Sequence, residues 1–369
     1  MHDHWIAERM GRIDASGIRK AFEMAKSMVD PINLSIGLPD FPVSEPVKLA
    51  AIKAILENRS EYTLTQGLPE LRSALQAEVD EKYNHPDRQV MVTSGTAGGL
   101  TLALSVSVNP GDEVIIFDPY FVMYRHLVTW VGGTSVLVDT YPDFQINVAR
   151  LEAAITPKTK VVIVNTPSNP TGIVQSEQSI RELAELCRRK KILLISDEVY
   201  AAFSYDTPTS SPARFDENIL VCDGFSKTHG MTGWRLGFAH GPSRIIQEMN
   251  KLQQFSFICA PSLVQYAAIE AMKTDMTERI SAYKAKRDKI YDALKDDYEI
   301  VRPDGAFYVF PNAPWGTATE FVAEAIRNQL LIIPGNVFSQ KDTHFRISYA
   351  VDDRTLDRGI EVLQRIARR

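Results

Sequence analysis

Two stretches of the chain, residues 161–165 (VVIVN) and 192–196 (ILLIS), are apolar almost without interruption. A strand with one wet face alternates apolar and polar residues, so runs like these belong to a parallel sheet covered on both faces. Further strands are expected over 89–93, 113–117, 219–222 and 236–239, with helices between most of them. That alternation makes the chain α/β. In open sheets of this kind ligands bind outside the carboxyl ends of the strands, so the residues that follow each run matter most.

After 89–93 comes Ser94-Gly95-Thr96-Ala97-Gly98-Gly99, which opens an apolar helix expected to reach about residue 108. Small residues at a helix start leave backbone N–H groups free at the positive end of the helix dipole. A phosphate fits there; tight packing is the plainer explanation of the same glycines. After 113–117 comes DPYFVMY, with Tyr120, Phe121 and Tyr124 close together, a grouping that ordinarily means core. After 161–165 comes NTPSNPTG, where Asn169 in a Pro-flanked turn offers two donors and an acceptor or simply makes the turn. After 192–196 comes Asp197-Glu198-Val199-Tyr200. A carboxylate buried at that edge requires a cationic partner. If the chain turns helical after Asp197, Tyr200 faces the same way.

The remaining strand end, after 219–222, leads into GFSKTHGMTGWRLG, residues 224–237. Lys227 has small or apolar neighbours, and Met231, Trp234, Leu236 and Phe238 point to burial. A lysine so placed loses hydration, its pKa falls, and the free amine becomes a nucleophile able to form a Schiff base. Arg235, eight residues on, is always charged and suits a phosphate. An amine beside a phosphate clamp is what pyridoxal 5'-phosphate needs, since that cofactor carries an aldehyde and a phosphate.

The rest of the chain frames this centre. Helices are expected over 13–29 (with Ile18, Phe22, Ala25 and Val29 on one stripe), 46–58 and 69–83, and as one long helical region over 243–294. Ser176 is placed to cap a helix whose Ile180, Leu183, Ala184 and Cys187 face the sheet. At 369 residues the chain fits two domains, and a net charge of −5 leaves no electrostatic footprint for nucleic acid. No apolar run approaches a membrane span, the first ten residues lack a signal-peptide core, and the histidines lack metal-ligand spacing. Three scattered cysteines, Cys187, Cys222 and Cys259, fit reduced thiols in a cytoplasm.

Taken together, IGLPDF, Y-x-x-x-x-G-x-x-x-L-R, NPTG, DEVY, SKTHGMTGWRLG and FRISY resemble the class I/II (fold-type I) aminotransferases. The pattern is most similar to the bacterial aspartate and aromatic enzymes of subgroup I. The resemblance implies a large domain over 43–275 with a mostly parallel sheet, and a smaller α+β domain from 1–42 and 276–369. It implies that Lys227 carries pyridoxal phosphate, that Asp197 keeps the pyridine nitrogen protonated, and that Asn169 and Tyr200 share the phenolic oxygen. Phe121 then stacks on the ring, and Gly95, Thr96, Ala97, Ser226 and Arg235 hold the phosphate. Gly37 and Arg346, with Asn169, receive the substrate, Arg346 as a fork for the α-carboxylate. Tyr62 reaches the neighbouring subunit's phosphate in a homodimer. One departure is Gly224, where many relatives carry a phosphate-binding serine.

The implied reaction moves an amino group from an α-amino acid to a 2-oxo acid. Dicarboxylate specialists need a second cation for the side chain, which a lysine in the phosphate-turn helix can supply; that position here is Ala97. Ile13, Tyr120, Phe121, Tyr124, Phe255 and Phe257 are the expected walls, so neutral and aromatic amino acids are favoured. Arg19 is the residue that would reverse that expectation, towards aspartate. A C–S β-lyase on the same fold is the main alternative, though relatives of that type usually lack the G-W-R-L-G continuation. An aminocyclopropane-forming synthase fits less well, and a cofactor-sensing regulator would carry an added DNA-binding domain.

Overall fold

Residue-by-residue alternation explains why the apolar runs are unbroken: in each strand, odd and even positions feed different cores. The computed structural model describes residues 3–15, 17 and 28–368. In chain order the strands are β1 (Ile32–Asn33), β2 (Arg88–Thr93), β3 (Glu113–Asp118), β4 (Thr134–Asp139), β5 (Thr159–Asn165) and β6 (Leu193–Asp197). They continue with β7 (Leu220–Gly224), β8 (Gly237–Pro242), β9 (Tyr308–Val309), β10 (Leu330–Leu331), β11 (Ile333–Pro334) and β12 (Phe345–Ser348). Seven of them form one sheet in the order β2-β8-β7-β6-β5-β3-β4, parallel except that β8 runs against both its neighbours.

Val162, Val164, Leu194 and Val221 point to one face, against Leu71, Leu75 and Val79 of helix Pro69–Tyr83 and Ile180, Leu183 and Ala184 of helix Glu177–Lys190. Val161, Ile163, Ile195, Leu220 and Cys222 point to the other face. There they meet Leu100, Ala103 and Leu104 of helix Gly95–Ser107 and Ile246 and Met249 of helix Ser243–Gln253. Each such side chain removed from water stabilises the fold by about 1.5–3 kcal/mol. Ser176 caps the helix as expected, its Oγ accepting the Ser179 N–H at 3.1 Å.

The register brings the strand ends level. Asn165 pairs with Asp197, Asp197 with Cys222, and Gly224 with Gly237, which also pairs with Thr93. Strand order reverses between β3 and β5, so the segments that follow them open on the same crevice. A second layer covers that crevice: β9, β11 and β12 make an antiparallel sheet in the order β11-β12-β9, while β1 pairs in parallel with β10. A separate core containing Leu34, Phe203, Tyr283, Phe307, Phe321 and Phe345 lies beneath it.

Two expectations are corrected. Residues 243–294 form three helices, Ser243–Gln253, Ser262–Ala271 and Thr277–Leu294. Ile258 takes a left-handed φ of 66° and Pro261 precedes the second helix, while the Asp275 carboxylate accepts the Thr277 N–H at 2.9 Å and starts the third. The strand expected over 236–239 begins at Gly237 and runs to Pro242. The helix expected over 13–29 lies mostly outside the described residues, and with it Ile18, Arg19, Phe22 and Ala25.

Candidate active site

A cleft of about 740 Å³ sits at the level strand ends. It is lined by Gly37, Thr96, Ala97, Phe121, Asn169, Asp197, Tyr200, Ser226, Lys227, Arg235 and Arg346, eleven of the positions singled out from the sequence. Gly95 adjoins it through Arg235. Tyr62 does not line it; that side chain is 79% exposed on the same chain's surface.

Lys227 sits in the short helix Phe225–Thr228 directly after β7. Its Nζ donates to the Gly37 carbonyl at 2.8 Å. Desolvation, with Arg346 and Arg235 nearby, lowers its pKa to about 8, against the opposing pull of Asp197. The amine therefore loses its proton far more readily than a surface lysine. Asp197, at the end of β6, is 3% exposed, and burial raises its carboxyl to about 6. Two donors oppose that rise: the Tyr124 hydroxyl at 2.7 Å from Oδ2 and the Val199 N–H at 3.3 Å from Oδ1.

The chain after Asp197 forms a turn, with Phe203 N–H donating to the Tyr200 carbonyl at 2.8 Å, and not the helical start that was one expectation. Tyr200 nevertheless reaches the cleft, its hydroxyl 2.8 Å from that of Tyr308. Arg346 is 1% exposed, the opposite of a solvated arginine. Its Nη1 donates to Asn169 Oδ1 at 3.0 Å and its Nη2 to the Ser35 carbonyl at 2.6 Å. The guanidinium lies 4.6 Å from the Tyr308 ring and 4.7 Å from the Phe338 ring, and its Nε has no partner. Desolvation lowers its pKa, yet an arginine in a protein stays charged.

The other end of the cleft is shaped for an anion. Helix Gly95–Ser107 starts there without a side-chain cap. A Cβ at Gly95 would lie 2.5 Å from Arg235 Nη2, so only glycine lets the arginine come this close to the helix N-terminus. Arg235 Nη1 also donates to the Thr232 carbonyl at 2.9 Å. Thr96 Oγ1 is buried and has no hydrogen-bond partner. That hydroxyl accounts for Gly224: a Cβ at 224 would lie 2.8 Å from Thr96 Oγ1 and 3.1 Å from the Leu236 carbonyl. A serine would collide with the group that stands in its place.

These features fit pyridoxal phosphate. An amine with lowered pKa, a buried carboxylate, an uncapped helix start with an adjacent arginine, and an unpaired hydroxyl match its aldehyde, ring nitrogen and phosphate. Sequence reasoning missed Tyr308 and Ser35, and took Tyr124 for a wall residue only. Three expected walls do not line this chain's own cleft. Tyr120 turns away, its hydroxyl accepting from Arg125 Nη1 at 2.8 Å, and Phe255 and Phe257 are exposed outside the cleft. The walls are instead Ile13, Asp14, Ile36, Leu38, Leu100, Phe121, Val122, Met123 and His126 beside Tyr124.

Comparison with known proteins agrees with this geometry. The family model "Aminotransferase class I and II" matches residues 29–363. A probable aspartate aminotransferase of Methanocaldococcus jannaschii is 34% identical, over 98% of this chain and 99% of its own. Aromatic-amino-acid aminotransferase 2 of Thermococcus litoralis is 33% identical, over 98% of both. The solved aspartate aminotransferase of Thermus thermophilus with maleate superposes with a TM-score of 0.93 at 32% identity, covering 98% of this chain and 99% of that one.

Proposed function

Because the chain belongs to the class I and II aminotransferases and is a pyridoxal phosphate-dependent enzyme, we propose that its amino donors are neutral and aromatic amino acids. The observation that carries this reading is the assignment of the cleft's cations. Lys227 serves the reaction, Arg235 the phosphate and Arg346 the α-carboxylate; no other lysine or arginine among the described residues lines the cleft. Ala97 stands where a distal cation would come from, and the side-chain walls are mostly Ile13, Ile36, Leu38, Leu100, Val122 and Met123. At similar identity, relatives are named for aspartate and for aromatic amino acids, so overall likeness does not choose between them.

The bound cofactor supplies an aldehyde that condenses with amines and a ring that takes up electrons. In this reading the residues divide the remaining work. Arg346 grips the α-carboxylate in a two-pronged contact, with Asn169 beside it. Lys227 Nζ takes the proton from the substrate's Cα and delivers it across the face of the ring. Asp197 keeps its negative charge against the ring nitrogen, and Asn169 and Tyr200 serve the phenolic oxygen. Phe121 lies against the ring, and Gly95, Thr96, Ala97, Ser226 and Arg235 hold the phosphate.

We also read residues 43–275 as the cofactor-binding domain and 1–42 with 276–369 as the smaller one. Support comes from the two sheets and from the pairing of β1 with β10. A homodimer is supported by exposed Tyr62 and by Leu49, Ile52, Ile55, Leu64 and Phe255, which are open to solvent on a single chain. Free thiols at Cys187, Cys222 and Cys259 support a cytoplasmic setting, and no helix among the described residues is long and apolar enough to cross a membrane.

The test is a panel of donors with 2-oxoglutarate and pyruvate as acceptors. Phenylalanine, leucine or alanine should match or exceed aspartate in kcat/KM. An aspartate preference above about a hundredfold, about 2.7 kcal/mol of transition-state discrimination, refutes the neutral pocket.

A further inference from the structure

Tyr124 is a buried ionisable group that touches Asp197 directly and to which the reaction above gives no task. It sits on helix Met123–Trp130, 3% exposed, with its ring edge-on to Phe121 at 5.8 Å. Among the described residues its hydroxyl makes one hydrogen bond, to Asp197 Oδ2 at 2.7 Å. A phenol carries one proton to donate, and here it goes to the carboxylate. Among the described residues the other donor to that carboxylate is the more distant Val199 N–H. Besides Tyr124, the titratable groups around Asp197 are Glu198, Asp223, Lys227, Tyr200 and Cys222; Glu198 and Asp223 oppose its negative charge and Lys227 favours it.

A carboxylate in such a place is poised between two states. Burial favours the neutral acid, and a neutral acid cannot act as the negative partner of a protonated ring. What tips the balance is donated hydrogen bonding, which stabilises the ionised form alone. We propose that Tyr124 is a positioning residue: its hydroxyl holds Asp197 ionised, so that the proton shared between Asp197 and the cofactor stays on the ring nitrogen. This rests on the reading of Asp197 given above. Removing the hydroxyl leaves the packing nearly unchanged, because phenylalanine fills the same volume, but it makes Asp197 a better base than the ring.

The experiment uses holoenzyme rebuilt with pyridoxal phosphate carrying ¹⁵N in its ring, because the resonance reports directly whether that nitrogen is protonated. At neutral pH the unaltered enzyme should show the protonated signal. Tyr124→Phe should move the ratio of proton on nitrogen to proton on Asp197 about tenfold towards Asp197, the loss of one charge-assisted hydrogen bond. It should also weaken cofactor binding to the apoenzyme several-fold. Tyr124→3-fluorotyrosine, a stronger donor, should keep the protonated signal. Asp197→Ala, which removes the partner, should give a neutral nitrogen whatever stands at 124. If Tyr124→Phe leaves the signal unchanged while Asp197→Ala abolishes it, the role of Tyr124 is refuted and that of Asp197 stands. If neither changes it, both fall.

Discussion

The floor and the mouth of the cleft are built in opposite ways. On the floor, Asp197, Asn169, Tyr200 and Arg346 are buried and each is hydrogen-bonded to a residue from another part of the chain. At the mouth, Ile13, Ile36 and His126 are half-buried, Asp14 and Leu38 are exposed, and the side chains of His126 and Asp14 make no hydrogen bond among the described residues. Charges held dry and in place act strongly because they need no reorganisation when the reaction occurs. Apolar walls open to water discriminate only by about 1–3 kcal/mol per methylene. The floor should therefore dictate chemistry and the mouth only preference.

The largest break in that comparison should come from Arg346→Leu. It deletes two charge-assisted hydrogen bonds and strands the Asn169 Oδ1 and Ser35 carbonyl, so kcat/KM should fall by about 10²–10³-fold for every donor alike. Steady-state kinetics on three unlike donors checks this; a loss confined to one of them would make Arg346 a side-chain reader instead. Next is the pH dependence of cofactor capture. Lys227 reacts as the free amine, and its pKa stands at about 8 in place of the ordinary 10.5. Capture of pyridoxal phosphate by apoenzyme, followed by absorbance, should rise about tenfold per pH unit below that value and level off above it. A rise that continues towards pH 10 would mean an ordinary, hydrated lysine.

A smaller effect is expected at the phosphate end. Thr96→Val removes the hydroxyl that stands where Gly224 leaves no room, and should weaken cofactor affinity about tenfold with little change in kcat at saturating cofactor. Fluorescence titration of apoenzyme measures it. The smallest effects belong to the mouth: Leu38→Ala and His126→Leu should each shift the phenylalanine-to-leucine preference by no more than about 1 kcal/mol. A shift as large as that of Arg346→Leu would erase the distinction between floor and mouth.

How far the sequence reaches follows the same division. The strand ends were legible because β5 and β6 are unbroken apolar runs, and because Asp197 ends a strand while Asn169 and Lys227 lie within four residues of one. Arg346 could be placed only by resemblance, since a lone arginine on a strand reads as solvated; Ser35 and Asn169, which bury it, are 311 and 177 residues away. Tyr124 and Asp197 are 73 residues apart, and their contact depends on strand order, which periodicity does not encode. Phe255 and Phe257 looked like walls because an aromatic residue says burial but not against what. The break at 254–261 was hidden because helical periodicity resumes on both sides of it.

The central claim is that Lys227, among all the lysines of the chain, is the one that bonds the cofactor. Borohydride reduction of the holoenzyme makes that bond permanent, and peptide mass analysis locates it. The account predicts a yellow protein that loses its visible absorbance on reduction, with the cofactor's added mass on the peptide containing Lys227 and on no other. Added mass on a different lysine, or none with cofactor demonstrably bound, would contradict it.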